Sequence, residues 1–283
     1  MRPEIERTTL DASNIGDVAR PLSHWERVVN HPAARRVFII VLLCLAWQAY
    51  SVPLDNPLIF PTFTDTMTAW WDATVSGELP ARVWGSIKVL LIGYAAGIAI
   101  AAVLTTFSVL TRFGTDLLST LTAMFNPLPA IALLPLALLW FGLGNPSLVF
   151  VLIHSVLWPV SLNTHAGFLS VSDTLRMAGN NYGLTGIRFV MKILVPAAFP
   201  SILTGLKIGW AFAWRTLIAA ELVFGVSSGS GGLGWFIFEN RNQLEIAYVF
   251  AGLLTVILIG LFMESVVFRS IEERTVRRWG MQR

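Results

Sequence analysis

The chain has 283 residues, of which 55% are hydrophobic and 13% are charged. Soluble domains carry about 25% charged residues, so this composition excludes an ordinary soluble domain. The excess of 20 lysines and arginines over 17 aspartates and glutamates is explained below by an asymmetric membrane distribution, and it gives no reason to invoke nucleic acid as a partner.

Six stretches are apolar enough to cross a hydrocarbon core, which takes about 20 residues in a helix. An open sheet would leave backbone groups unsatisfied in lipid, so the predicted fold class is an all-α polytopic membrane protein with six transmembrane helices. The predicted spans are approximately 37–54, 87–110, 117–141, 147–168, 202–225 and 246–268. They form one membrane domain, 37–283, preceded by a polar arm, 1–36.

The arm does not resemble a cleavable signal sequence. It is long and mixed in charge, and no small-residue cleavage pattern follows the first apolar stretch. Span one is therefore predicted to be an uncleaved anchor, with a short interfacial helix at 22–30 before it. The single cysteine, Cys44, lies within span one and can form no intrachain disulfide.

The distribution of lysine and arginine predicts the orientation. With the N-terminus inside, fifteen of these residues fall in predicted cytoplasmic segments, and the predicted external segments hold only Arg82 and Arg241. The cytoplasmic residues are distributed as six in 1–36, one in 111–116, three in 169–192 and five in 269–283. Positive charge favours the cytoplasmic side, so both termini are predicted to be cytoplasmic.

The first external segment, 55–86, contains the run TFTDTMTAWWDATVSG after Pro61. This pattern predicts an amphipathic helix on the outer surface, with Trp70 and Trp71 at the level of the lipid headgroups.

Two spans carry small residues at four-residue intervals, a spacing that lets another helix approach closely. The residues are Gly93, Gly97 and Ala101 in span two and Gly205, Gly209 and Ala213 in span five. We interpret the first stripe as packing within the subunit. The second lies among polar residues, which favours a subunit interface or the lining of a pathway.

Span three contains Pro127, Pro129 and Pro135. Each proline removes a helix hydrogen bond and clashes with the preceding turn, so the span is predicted to be kinked or partly unwound. Two readings stay open. The irregular backbone borders a cavity, as it does in transporters, or it is a simple kink at a helix end.

Ionisable residues within spans are expensive and usually functional. Arg215 lies near the middle of span five, where it could serve an anionic solute or pair with a carboxylate from elsewhere. Glu221 lies six residues later on a different helix face. Glu264 is predicted to pair locally with Arg269, and Lys207 to extend its amine to the inner surface.

Familiar catalytic and nucleotide-binding motifs are missing from the sequence. Residues 229–234, GSGGLG, satisfy G-x-G-x-x-G but lack the strand and helix of a dinucleotide site, so we interpret them as an external turn that places Trp235 and Phe236 at the interface. No phosphate loop occurs, and the four histidines have no metal-ligand spacing. His154 and His165 are assigned packing roles with hydrogen bonds. The chain is not predicted to be an enzyme.

A polar interruption, 169–196, separates spans four and five. Ser172 or Asp173 can cap a short helix, and Leu175, Ala178 and Tyr182 share one of its faces. Gly183 suits a left-handed stop, after which Thr185 or Gly186 opens a second helix. The segment is either an ordinary amphipathic surface helix or an ordered protrusion that receives force or a signal from a soluble partner.

Its spacing resembles the E-A-A-x3-G-x9-I-x-L-P signature of bacterial ABC importer permeases. Ala178, Gly183, Ile193 and Pro196 match, whereas Met177, Gly179 and Val195 replace Glu, Ala and Leu. Three further segments, 126–144, 203–222 and 231–237, are similar to the nitrate, sulfonate, taurine and bicarbonate branch of that family. Arg215 departs from the small or neutral residue that this branch would have there.

The resemblance implies a permease subunit of the inner membrane that imports a small solute with energy from ATP, and the basic Arg215 favours an anionic solute. It implies a second copy of the chain, two ATP-binding subunits that hold ATP and Mg, a soluble solute-binding protein, and no cofactor in this chain. The coupling loop, 170–192, would contact the ATP-binding subunit through Leu175, Arg176, Met177, Ala178, Tyr182, Gly183, Ile193 and Pro196. The solute pathway would include Pro127, Pro129, Trp140, Trp210, Trp214, Arg215 and Glu221. The alternative is a secondary transporter coupled to an ion gradient.

Overall fold

The computed structural model describes residues 32–224 and 231–280. Helices and short connections make up these residues, and no strand occurs among them, as the all-α prediction requires. The predicted interfacial helix at 22–30 and the first two residues of GSGGLG lie outside the described residues. The chain divides into two compact units, Met1–Leu54 and Asp55–Arg283.

The first unit contains one described helix, α1 (Pro32–Leu54). It corresponds to predicted span one and begins five residues earlier. Its mean hydropathy is 2.1, and large apolar side chains such as Phe38 and Leu43 are exposed. A helix that is apolar around its circumference is typical of a membrane span.

The second unit begins with a short amphipathic helix and continues through a helix pair broken at two prolines. Its first half contains α2 (Phe63–Val75), α3 (Glu78–Leu110), α4 (Arg112–Phe125), a 3-10 turn (Ala130–Leu133), α5 (Leu134–Phe141) and α6 (Asn145–Leu169). Its second half contains α7 (Asp173–Asn181), α8 (Gly186–Phe189), α9 (Val195–Ala197), α10 (Phe199–Phe224), α11 (Leu233–Asn242), α12 (Ile246–Phe262) and α13 (Arg269–Glu272). π-Helical turns occur at Val190–Leu194, Met263–Phe268 and Glu273–Arg277.

Four described helical segments are long and apolar enough to cross a membrane: α1, α3, α6 and the segment from Ile246 to Arg277. Two bent pairs raise the number to as many as six if each pair is one span. The pair α4 and α5 is bent by 87°, and the segment Gly186–Ala197 is bent by 79° from α10. The kink predicted for span three is confirmed, because α4 ends at Phe125 just before Pro127.

The core of the second unit is built around α6, which packs against both α3 and α10. The stripe on α3 faces α6, since a Cβ at Gly97 would lie 2.7 Å from Val156 Cβ. The stripe on α10 faces the same helix, and a Cβ at Gly205 would lie 3.1 Å from the carbonyl oxygen of Pro159. The intrasubunit role predicted for span two is confirmed. The interface or pathway role favoured for the stripe of span five is wrong, because its glycines are covered by α6.

The predicted amphipathic helix of the first external segment is present as α2, which is capped by the Thr62 hydroxyl. Its two tryptophans differ. Trp71 is 62% exposed, whereas Trp70 donates a 3.1 Å hydrogen bond from Nε1 to Thr255 Oγ1 of α12. Trp70 therefore fastens α2 to the bundle. Phe236, which was also predicted at the interface, is fully buried in the core, so that prediction is wrong.

The ionic contacts of span six differ from the predicted pair. Arg269 Nε lies 2.9 Å from Glu273 Oε1, and Glu264 is instead 4.0 Å from Lys207 Nζ. Lys207 forms a closer ion pair of 2.7 Å with Glu272. The predicted Glu264–Arg269 pair is wrong, because Arg269 pairs instead with Glu273, four residues later on the same helix face.

Candidate functional site

The segment between α6 and α10 has the start and stop that the sequence predicts. Ser172 is the N-cap of α7, and its hydroxyl accepts a hydrogen bond from the Leu175 N–H at 3.4 Å. Gly183 has φ +72°, and its N–H donates to the Asn180 carbonyl while the Leu184 N–H donates to the Gly179 carbonyl. This pair of bonds is a Schellman motif, which ends the helix through a left-handed residue. Thr185 is the N-cap of α8, as expected.

One contact joins the segment to α6, and a second packs the two halves of the segment against each other. The Arg176 guanidinium donates to the carbonyl oxygens of Phe168 at 2.6 Å and Val171 at 3.2 Å. A cation at the carbonyl end of a helix also interacts favourably with the helix dipole. In addition, the Gly179 backbone packs closely on Ile193 and Phe189, since a Cβ there would lie 2.9 Å from Phe189 Cε2. Movement of α7 would therefore be passed to the end of α6.

Several apolar side chains of the segment are not covered by the described residues. Tyr182 is 86% exposed, the largest exposed fraction among them. The other large apolar side chains that are exposed here are Leu175, Met177, Ile187 and Met191. Pro196 is exposed, and Ala178 and Ile193 are half-buried. Exposed apolar side chains are therefore concentrated in this segment.

A cavity of about 300 Å³ lies where the proline break of α4 and α5 meets α6 and α10. It is lined by Asn126, Pro127, Leu128, Pro129, Ala130, Ile131, His154, Ser155, Trp158, Pro159, Phe212, Arg215 and Thr216. Pro127, Pro129 and Arg215, all predicted for the solute pathway, are brought together there. Of the two readings of the prolines, the structure favours the one in which irregular backbone borders a cavity.

Arg215 supplies the charge of the cavity. Its Nε donates to the Ala211 carbonyl of its own helix at 3.0 Å, and its guanidinium carbon lies 5.1 Å from the centre of the Phe212 ring. Among the described residues, Arg215 forms no ion pair with a carboxylate. The structural ion pair considered for Arg215 is thus not found within the described chain.

One wall of the cavity is aromatic. Trp158 is 6% exposed, stacks on Phe125 with ring centres 5.7 Å apart, and meets His154 edge to face at 5.9 Å. His154 therefore packs beside a tryptophan at the cavity. On the same helix, Ser155 donates to Thr216 Oγ1 of α10 at 3.1 Å. Aromatic and polar side chains of α6 therefore both line the cavity.

The other residues predicted for the pathway lie outside this cavity. Trp140 is exposed on α5 and packs against Phe150. Trp210 is buried against Tyr94, and Trp214 donates from Nε1 to the Val256 carbonyl at 3.3 Å. These two tryptophans hold α10 to its neighbours.

Glu221 is buried in a cluster of neutral donors. Its carboxylate accepts hydrogen bonds of 2.8 Å from Ser86 Oγ of α3 and from the Gly234 N–H of α11. Ser86 Oγ in turn accepts a 2.8 Å bond from the Leu233 N–H. A Cβ at Gly232 would collide with the carboxylate. The glycines of the GSGGLG motif that the structure describes therefore allow a buried carboxylate to reach the backbone at the start of α11.

Ten of the thirteen lining residues were not among the predicted pathway residues, and these include Asn126, Trp158, Phe212 and Thr216. A local signal was available for two of them. Trp158 follows His154 by four residues, and Arg215 is three residues after Phe212, so each pair shares a helix face. Ser86, the partner of Glu221, had no such signal because it lies 135 positions away.

The chain matches a family model described as "Binding-protein-dependent transport system inner membrane component" over residues 93–274. The match covers more than half of the chain, and it includes the capped segment α7–α9 and the cavity. The chain belongs to this family. It is a multi-pass membrane protein and an ABC-type importer permease subunit.

Individual relatives agree with the family. The permease is 31% identical over 243 residues to a protein of Escherichia coli (strain K12) named as the aliphatic sulfonates transport permease SsuC, covering 86% of this chain and 90% of the relative. It is 28% identical to the taurine transport system permease protein TauC of the same organism, covering 80% and 82%. The nitrate import permease protein NrtB of Synechocystis sp. is 26% identical, covering 87% and 90%.

Proposed function

We propose that two copies of this permease form the membrane pathway of an importer that is driven by two ATP-binding subunits. A soluble solute-binding protein delivers the solute on the external side, and ATP with Mg is held by the partner subunits. Each chain crosses the membrane six times, with both bent helix pairs counted as spans and both termini in the cytoplasm. The positive-inside distribution of lysine and arginine supports this orientation.

The segment between α6 and α10 is the contact for the ATP-binding subunit. The observation that carries this proposal is that a capped helix, bonded to α6, presents apolar side chains that no described residue covers. Ser172 and Gly183 fix the ends of α7, Arg176 joins it to α6, and Tyr182 is 86% exposed. Closure of the ATP-binding subunits would move α7 and, through it, rotate the membrane helices between two states.

A substitution at Gly183 tests the contact. Gly183→Val forces a β-branched side chain into a left-handed conformation, so the stop of α7 should be lost. We expect the tagged permease to insert in the membrane but to retain at least tenfold less ATP-binding subunit on purification, with ATPase activity reduced in proportion. The measurement is the ratio of the two subunits after affinity purification.

Gly77 offers a matched control. It has φ +81° and, like Gly183, no heavy atom within 4 Å of an added Cβ, but it lies before α3 and away from the proposed contact. Gly77→Val should keep the wild-type subunit ratio. A wild-type ratio and wild-type ATPase activity in Gly183→Val would contradict the proposal.

The solute is proposed to be a small anion of the sulfonate, nitrate or organic acid type. Arg215 at the cavity and the names of the relatives support this class. The alternative, a secondary transporter coupled to an ion gradient, is not favoured, because the family match is to a binding-protein-dependent system. Uptake that persisted when the ATP-binding partner carried a substituted phosphate-loop lysine would reverse this preference.

A further inference from the structure

We propose that Glu221 is a positioning residue of the transport cycle, because its carboxylate makes α11 move together with α10. When the ATP-binding subunits displace α10 from the cytoplasmic side, α11 follows at the external side. The proposal rests on the proposed function, which supplies the movement of α10. It adds the residue that carries this movement to the external end of the chain.

Helix α10 connects the proposed contact with the ATP-binding subunit to α11. It begins at Phe199, just after the segment α7–α9, and Glu221 lies 22 residues later. At 1.5 Å per residue this separation is about 33 Å, enough to cross a hydrocarbon core. Glu221 therefore lies at the opposite end of α10 from the proposed contact.

The start of α11 is capped by side chains of other helices. Its own N-cap residue, Gly232, forms no side-chain cap bond, although the first N–H groups of a helix need acceptors. The Leu233 N–H instead donates to Ser86 Oγ of α3 at 2.8 Å. The Gly234 N–H donates to Glu221 Oε2 of α10 at 2.8 Å. Helices α3 and α10 thus supply the caps that α11 lacks.

A local cap does not fit at residue 232. A Cβ there would collide with the Glu221 carboxylate and with Ser86 Oγ, so serine, threonine and asparagine, the usual N-cap residues, are excluded. Gly234 is restricted as well, because a Cβ there would lie 2.7 Å from the Ile218 carbonyl oxygen of α10. The bonds at the start of α11 therefore depend on where α3 and α10 lie.

Glu221 is the polar link between α10 and α11. Within residues 199–223 and 233–242, it makes the only hydrogen bond that a side chain forms between these two helices. Helix α11 is joined to α3 by a second contact, since Arg82 of α3 lies 2.9 Å from Glu239 of α11. Without the Glu221 carboxylate, α11 would keep its polar contacts with α3 and would stay with α3 when α10 moves.

Distances between spin labels on the two copies test whether α11 follows α10. In a Cys44→Ser background, with a cysteine-free ATP-binding subunit, each copy carries one label, either on α11 at Arg241→Cys or on α10 at Val223→Cys. Both positions are exposed. Pulsed electron paramagnetic resonance gives the distance between the two labels without nucleotide and after trapping with ATP and orthovanadate. With Glu221 present, both distances should shift by about 5 Å, the scale of a one-turn helix shift.

Glu221→Ala should separate the two readouts. The label on α10 should still shift on trapping, whereas the label on α11 should stay at its nucleotide-free distance. Tyr94→Phe is the matched control, because it removes another hydrogen bond between α3 and α10, from the Tyr94 hydroxyl to the Leu206 carbonyl at 2.8 Å, away from α11. Both labels should shift in this control. A merely structural role of Glu221 would lower stability without separating the labels.

Two conservative variants distinguish the link from the charge. Glu221→Gln loses the charge but keeps the length, and its amide can accept from the Gly234 N–H and donate to Ser86, so the label on α11 should shift. Glu221→Asp keeps the charge but is one methylene shorter and cannot stay within hydrogen-bond distance of both partners. The label on α11 should not shift in this variant.

The outcomes separate this proposal from the proposed function. A label on α11 that shifts in Glu221→Ala as it does with Glu221 present overturns the role of Glu221. A shift that survives in Glu221→Asp or is lost in Glu221→Gln overturns it too, and this comparison decides the matter if the Ala variant does not assemble. Absence of any shift of the α10 label with Glu221 present contradicts the proposed function itself.

Discussion

Ser86 joins three elements through one hydroxyl. It donates to Glu221 of α10 and accepts the Leu233 N–H of α11, and it is itself a fully buried residue of α3. The carboxylate of Glu221 has no cationic partner among the described residues, so neutral donors alone compensate for its burial. Such a cluster is stable only when every member is bonded, because an unsatisfied buried polar group is destabilising.

We therefore expect Ser86→Ala to destabilise the folded permease by about 1–3 kcal/mol, the range for a buried group that loses its partner. The substitution removes a donor to Glu221 and leaves the Leu233 N–H without an acceptor. The measurement is the thermal unfolding midpoint of the purified complex, which should fall.

Ser265→Ala is the control for this prediction. The Ser265 residue is exposed, and its hydroxyl bonds the Leu261 carbonyl of its own helix and no other described residue, so the unfolding midpoint should hardly change. Equal midpoints for Ser86→Ala and the wild type would mean that the cluster does not stabilise the start of α11.

The C-terminal helical segment packs against the beginning of α10. Lys207 Nζ lies 2.7 Å from Glu272 Oε2, with 25% and 23% of the two side chains exposed. Beyond α13, after the π-helical turn Glu273–Arg277, Trp279 meets Phe199 edge to face at 5.4 Å. These contacts place the segment against the same end of α10 that follows the bend at residue 198.

A double-mutant cycle measures the coupling free energy between Lys207 and Glu272. Lys207→Met and Glu272→Gln should each lower stability, and the double variant should lose less than the sum, with a coupling of at least about 0.5 kcal/mol because the groups touch. Chemical unfolding of the purified complex gives the loss in free energy of unfolding for each single variant and for the double variant. The exposed pair Arg269 and Glu273 is the comparison, and its coupling should be smaller because solvent screens it.

At the scale of the whole molecule, orientation is the property that determines which surface meets which partner. The chain has a single cysteine, so Cys44→Ser gives a background without thiols. Trp71, 62% exposed on α2, and Tyr182, 86% exposed after α7, are suitable positions for single reporter cysteines.

We expect an impermeant maleimide to label Trp71→Cys in sealed spheroplasts and Tyr182→Cys only after the membrane is opened. The reason is the positive-inside rule, which places the segment after α6 in the cytoplasm. Labelling of both positions in sealed spheroplasts would contradict the predicted orientation. Labelling after solubilisation serves as the control for accessibility of each thiol.

The sequence by itself determined the features that depend on neighbouring residues. The apolar stretches predicted the membrane helices, because hydropathy over about 20 residues is a local property. The three prolines predicted the break between α4 and α5, since proline disrupts the helix in which it stands. Gly183 predicted the stop of α7, because a left-handed residue costs glycine little.

Only the tertiary structure decided which side chains meet across the bundle. Periodicity shows that a residue lies on a polar or small-residue face, but not which helix covers that face. Gly205 was therefore assigned to a subunit interface or a pathway lining although α6 covers it. The partner of Lys207, Glu272, lies 65 positions later and was not predicted. Arg215 and Pro127 meet at one cavity for the same reason, because helix packing sets distances between residues that are remote in the chain.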